Sequence, residues 1–126
     1  MNDLEKNKKN AIEFYRMSYN GDPRNAVSLY VGSEYIQHNH LVGDGIEPFI
    51  QYFERMATEY PNKTIEFMRA VAEGNMVALH THQQWPDNDQ YVTMDFFRFD
   101  KNGKIVEHWD SMQQIPDSSA NGNTMY

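Results

Sequence analysis

Residues 63–112 read KTIEFMRAVAEGNMVALHTHQQWPDNDQYVTMDFFRFDKNGKIVEHWDSM. Apolar, β-branched and aromatic residues recur here with a period of two. The pattern breaks at Gly74-Asn75, at Pro86-Asp87-Asn88-Asp89 and at Asp100-Lys101-Asn102-Gly103. Each break is turn chemistry, so the stretch predicts four consecutive strands in an antiparallel meander: 64–73, 76–85, 91–99 and 104–112. Upstream the period becomes helical. Leu4, Ala11, Ile12, Tyr15 and Tyr19 predict a helix over 3–19, stopped by Asn20-Gly21. Asp22-Pro23 then opens a short second helix carrying Ala26, Val27 and Tyr30. A third helix over 45–60 has Ile46, Phe49, Ile50, Phe53, Ala57 and Tyr60 on one stripe, and Pro61-Asn62 ends it. A short fifth strand is expected over 35–39. Helices first and a curved sheet after give an α+β layout in which the third helix covers the sheet and a cavity is left at one end.

The length of 126 residues suits one domain spanning the chain, with no internal repeat and no linker. Residues 117–126, rich in Ser, Asn and Gly, read as an extended arm. Eleven Lys and Arg against eighteen Asp and Glu give a net charge of -7 with no basic run, which argues against nucleic acid and anionic membranes as partners. Without cysteine, disulfides, thiolate nucleophiles, zinc ribbons and iron–sulfur ligation are excluded. The polar start at 1–10 and the lack of a long apolar run predict a soluble, cytoplasmic protein. Dinucleotide fingerprints, phosphate loops, Gly-X-Ser-X-Gly elbows and His-Glu-X-X-His are all missing from the chain.

All five histidines fall in or beside predicted strands: His38, His40, His80, His82 and His108. Residues two apart on a strand share a face, so His80 points with His82 and His108 with Asp110, and both pairs could line one cavity. Alternation groups Asp95 with Phe97 and Phe99, away from Met94, Phe96 and Arg98. Desolvation among those rings would raise its pKa towards that of a usable acid or base. Structural roles compete with these readings. Asp110 could pair with Arg98 or Arg69, Trp109 could serve core or interface, and a strand histidine could simply be a hydrogen-bonding residue. His-X-His at 38–40 and 80–82, with Asp95, Asp110 and His108, also makes a metal ligand set conceivable. The reading adopted carries no metal and no cofactor.

Four segments carry a resemblance: Tyr35-Ile36-Gln37-His38-Asn39, residues 72–82 (AEGNMVALHTH), Asp95-Phe96-Phe97-Arg98-Phe99, and residues 103–110 (GKIVEHWD). Together they resemble the SnoaL-like polyketide cyclases, in particular a subgroup described as predicted aldol-condensation-catalysing enzymes, over about 11–116. The resemblance implies the nuclear transport factor 2-like (cystatin-like) cone, a strongly curved sheet wrapped around a long helix with a pocket at the open end. It also implies cofactor-free acid–base chemistry on a small hydrophobic carbonyl compound. Asp110 is then the base, His108 its orienting partner or the acid, and His38 or His82 the donor to the developing oxyanion. Asp95, His80, Tyr35, Asn39, Phe97 and Trp109 are the further substrate-contacting residues. The chain departs from the common pattern at His40, where many relatives carry proline, and in the 85–91 hairpin at the pocket rim. A non-catalytic binding module and a ketosteroid-isomerase-like enzyme are alternatives on the same fold, and a homodimer through the aromatic sheet face is expected.

Overall fold

Gly21 takes a positive φ of 98°, and the Asp22 amide returns to the Met17 carbonyl at 2.9 Å, so the first helix ends where the Asn-Gly signal predicts. The computed structural model describes residues 3–126; Met1 and Asn2, the start of the polar N-terminal stretch, lie outside the described residues. The elements are α1 (Asp3–Tyr19), α2 (Pro23–Tyr30), β1 (Val31–Gln37), α3 (Ile46–Glu59), β2 (Thr64–Glu73), β3 (Met76–Gln84), β4 (Gln90–Phe99) and β5 (Ile105–Gln114). A single 3-10 turn, Pro86–Asn88, sits in the β3–β4 connection.

The sheet order is β1-β5-β4-β3-β2. β2 to β5 form the predicted antiparallel meander, and β1 adds in parallel to β5, so the fold is three helices on an open, mixed five-stranded sheet. β1 differs from expectation. It starts at Val31, directly after α2, and ends at Gln37, leaving His38 and Asn39 beyond it. Its first half, Val-Gly-Ser-Glu, has no period-two pattern; pairing with a strand about 70 residues away makes it a strand, which local sequence cannot reveal.

The registers sort the sheet into two faces. Ala72–Val77–Phe97–His108, Ala70–Leu79–Asp95–Asp110 and Phe67–Thr81–Thr93–Met112 are rows on the concave face. Val71–Ala78–Phe96–Trp109 and Arg69–His80–Met94–Ser111 are rows on the convex face. α1, rather than α3, lies along the concave face. Phe14 meets Phe97 edge-on at 6.1 Å, and Tyr15 meets Phe67 at 5.7 Å. α3 closes the far side of the cone, with Phe49 stacked on Phe14 at 5.0 Å and set against Tyr35 of β1 at 5.4 Å. Phe14 and Phe97 are fully buried, and removing each from water contributes about 1.5–3 kcal/mol.

On the convex face Val71, Met94 and Phe96 are exposed. The C-terminal segment lies across the same side: His80 Nε2 donates to the Met125 carbonyl at 3.0 Å, and the Tyr126 ring stacks on His82 at 3.7 Å. Among the described residues, no helix is long and apolar enough to cross a membrane.

Candidate active site

The concave face, α1 and α3 enclose a cavity walled by Phe14, Tyr35, Phe49, Phe53 and Phe97, with Asp110, His108, Asn39, Gln37, Thr93 and Gln83 as polar lining. Asp95 and Asp110 come together because β4 and β5 pair them directly on this face. Asp95 is fully buried. Its Oδ2 accepts from the Thr93 hydroxyl at 2.6 Å, and Oδ1 lies 2.9 Å from His108 Nε2. Burial raises its pKa above the ordinary carboxylate value, against the lowering effect of the His108 and Thr93 hydrogen bonds.

His108 is gripped from both sides. Its Nδ1 lies 2.8 Å from Gln37 Oε1, and that oxygen also accepts the backbone N–H of His38 at 3.1 Å and of Asn39 at 3.0 Å. Two backbone donors fix this end of the amide as the oxygen, so Nδ1 must carry a hydrogen. The Nε2–Asp95 contact then holds one further proton, shared between imidazole and carboxylate. Asp110 is next in line, its Oδ2 3.9 Å from His108 Nε2 and its side chain 10% exposed to the cavity. Asn39 Nδ2 donates to that Oδ2 at 2.9 Å, which leaves Oδ1 for a ligand.

A second chain of donors runs into Asp95. Trp85 Nε1 can only donate, and it reaches Gln83 Oε1 at 3.3 Å, so Gln83 presents its NH2 to Thr81 Oγ1 (3.3 Å) and to the Tyr15 hydroxyl (3.1 Å). Thr81 passes its hydrogen to Thr93 at 2.6 Å, and Thr93 passes its own to Asp95. Tyr15 accepts from Gln83 and has Thr93 as its other hydrogen-bond neighbour, so the phenol proton belongs to the same network. Burial, with the nearby Asp95 and Asp110 charges, holds its pKa well above the usual phenol value, so it stays a donor at all ordinary pH.

Of the residues singled out from sequence, the structure brings Asp110, His108, Asp95, Asn39, Tyr35 and Phe97 together. The others lie elsewhere. His80 and His82 do share a face, but it is the convex one. His80 contacts Arg69 and Met125, and His82 contacts Gln90 and Tyr126, so the expectation that both histidine pairs line one cavity is corrected. The residues of β3 that face inward are Val77, Leu79, Thr81 and Gln83, of which Gln83 lines the cavity. His38 is 41% exposed on the outside, stacked on Trp109 at 4.9 Å and paired with Glu107 at 2.8 Å. Neither His38 nor Trp109 lines the cavity. Glu107 pairs with Arg98 at 2.7 Å, so it is Glu107 rather than Asp110 that takes the arginine. His40 is exposed in the loop after β1.

The His-X-His pairs therefore do not converge on one ion. One ligand atom each from Asp95, His108 and Asp110 lies within 4.8 Å of the others. Their surroundings are donors, however. Thr93, Asn39 and the His108 proton already occupy Asp95 Oδ2, Asp110 Oδ2 and Asp95 Oδ1, which suits the cluster to holding protons rather than a cation. Sequence reasoning missed Tyr15, Gln37, Gln83, Thr93 and the cavity-lining Lys63.

The model of the SnoaL-like domain matches residues 11–108. The chain belongs to the SnoaL-like domain family. Solved structures with the same fold include TsrD from Streptomyces laurentii, at 22% identity and TM-score 0.71, with 85% of this chain and 88% of that chain covered. IdmH from Streptomyces antibioticus, a proposed polyketide cyclase, is similar at 16% identity and TM-score 0.72, covering 85% and 91%. An LEH-like epoxide hydrolase from M. tuberculosis is similar at 15% identity and TM-score 0.70, covering 89% and 86%. No curated protein matches the chain. Proteins of similar fold thus bear the names of different chemistries, and the reaction has to be argued from the cavity.

Proposed function

We propose that this SnoaL-like protein performs cofactor-free acid–base chemistry on a small carbonyl compound, forming an enolate and directing it to intramolecular aldol closure. The observation that carries the reading is Asp110, a carboxylate in an aromatic cavity with one oxygen anchored by Asn39 and the other open, 3.9 Å from a histidine bound on both ring nitrogens. Asp110 Oδ1 takes the proton from carbon next to the carbonyl, and the electron pair of that C–H bond passes to the carbonyl oxygen. Tyr15, a cavity-lining phenol that burial keeps protonated, is the donor to that developing oxyanion, replacing the His38 or His82 expected from sequence. After the enolate carbon attacks a second carbonyl, the proton held on Asp110 neutralises the new alkoxide. His108, its Nδ1 hydrogen held by Gln37 and its Nε2 against Asp95, is the positioning neighbour on the other side of Asp110.

The test is α-proton exchange of 2-tetralone in D2O, followed by ¹H NMR. The wild-type protein should accelerate exchange over buffer, and Asp110→Asn should lose about 10²–10⁴-fold of that acceleration while keeping its fold. Full exchange activity in Asp110→Asn would remove this residue from the chemistry.

A further inference from the structure

One charged group in the cavity is left over by this chemistry. Lys63 follows α3 and immediately precedes β2, three strands away from Asp110 on β5, yet both side chains line the same cavity. Lys63 is 8% exposed. Its Nζ donates to the Tyr19 carbonyl at the end of α1 and sits over the Tyr19 ring, 3.9 Å from the centroid. Among the described residues no carboxylate pairs with it, and burial alone acts on its titration, lowering the pKa from the ordinary lysine value. An ammonium has three N–H donors, and one carbonyl satisfies one of them.

The C-terminal carbonyl of α1 offers the ammonium the partial negative charge of a helix end, but it satisfies one donor of three and supplies no full counter-charge. Burying an ammonium without a counter-charge is costly, and the carbonyl and the ring both stabilise the charged form rather than the free amine. The charge in the cavity is thus half of an ion pair, and the geometry points to the other half arriving with the ligand. We infer that Lys63 is an anion-anchoring residue and that the substrate class is a carbonyl compound bearing a carboxylate, its acidic C–H directed to Asp110 and its carboxylate to Lys63. This inference rests on the cavity being the substrate site.

Calorimetric titration of the full chain at pH 7 with sodium phenylacetate and with phenylacetamide tests the anchor alone, since the probes differ in charge and little in shape. Phenylacetate should bind at least ~10-fold more tightly, a difference within the range for a charge-assisted hydrogen bond. Lys63→Met should bring the two probes to parity without weakening phenylacetamide, and Lys63→Arg should keep the preference. Parity in the wild-type protein, a preference that survives Lys63→Met, or no measurable phenylacetate binding would each overturn the inference. Should Lys63→Met fail to fold, ¹³Cε-lysine labelling of the wild-type chain replaces it: the Lys63 resonance must move with phenylacetate and stay with phenylacetamide, and the reverse refutes the anchor. Borohydride trapping of a Lys63 adduct with 2-tetralone would also overturn it, because the residue would then act as a neutral amine. The two readings separate cleanly. Asp110→Asn with lost exchange and an intact phenylacetate preference leaves the anchor standing; retained exchange in the wild-type protein without the preference removes the anchor and spares Asp110.

Discussion

Replacing Asp95 by asparagine and by leucine should have very different consequences, and the difference follows from where the protons sit. In the native cluster His108 Nδ1 donates to Gln37, Asp95 Oδ1 shares a proton with Nε2, and Asp95 Oδ2 accepts from Thr93. In Asp95→Asn the introduced amide can donate its NH2 to a now neutral Nε2 and accept from Thr93 with its oxygen, so every buried partner stays satisfied. The exchange of a charge-assisted bond for a neutral one should cost about 1–2 kcal/mol. In Asp95→Leu, Thr93 and His108 both lose their acceptor inside a fully buried site. Two orphaned groups at about 1–3 kcal/mol each, or equivalently one broken buried ion pair, predict a loss of about 3–5 kcal/mol. Urea denaturation of the three proteins at pH 7 measures the two differences, and ¹H–¹⁵N spectra of the imidazoles report the second half of the argument. His108 should show a hydrogen on Nδ1 in both the wild-type protein and Asp95→Asn, with the Nε2 proton lost only in the variant. If Asp95→Leu were as stable as Asp95→Asn, or if His108 carried no hydrogen on Nδ1 in the wild-type protein, the assignment of protons from the Gln37 orientation would be wrong.

Two further expectations follow from the same geometry. Tyr15→Phe should reduce α-proton exchange by about 10²–10³-fold, as for loss of an oxyanion donor, while costing only about 0.5–1.5 kcal/mol in urea denaturation because Gln83 keeps Thr81 as a partner. Glu107, hydrogen-bonded by His38 and Arg98, has its folded pKa lowered from 4.5. Its contribution to stability is therefore present above the ordinary glutamate value and lost as pH falls through the lowered one, and Glu107→Gln should flatten the acid limb of a stability profile measured between pH 3 and 7.

The meander was legible because its signals are local. Alternation and turn residues mark four strands, and the run Asp95, Phe97, Phe99 declares which face of β4 looks inward. β3 offers no such contrast. Leu79, Thr81 and Gln83 on one side and Ala78, His80 and His82 on the other are equally mixed, so alternation pairs the histidines without saying which way they point. Carrying the inward phase of Asp95 across the hairpin to Leu79 would have turned them outward, a step that needs the register and not only the period. Tyr15 was read as part of an apolar stripe, although a tyrosine on that stripe brings a hydroxyl into the cavity. Gln83 and Thr93 are uncharged and carry no motif, and Gln37 stands in a resemblance segment that gives it no role; only the network of bonds around them shows that they set the protons of the acidic pair. His38 was misplaced because the resemblance assigns it by motif position, while the end of β1 at Gln37 lets the chain turn its side chain to Glu107.

The parallel pairing of β1 with β5 has a consequence for how the molecule is made. The bond that sets His108 joins residues 71 positions apart in sequence. β2, β3 and β4 can zip up by short hairpins, but the bonds from Gln37 to His108 and from Asn39 to Asp110 cannot form until β5 has left the ribosome. A nascent chain that stalls before residue 105 lacks β5, so it carries an unpaired β4 edge and neither His108 nor Asp110 in the cavity. The cluster proposed to hold the protons is thus also the part whose formation reports that β5 has been made.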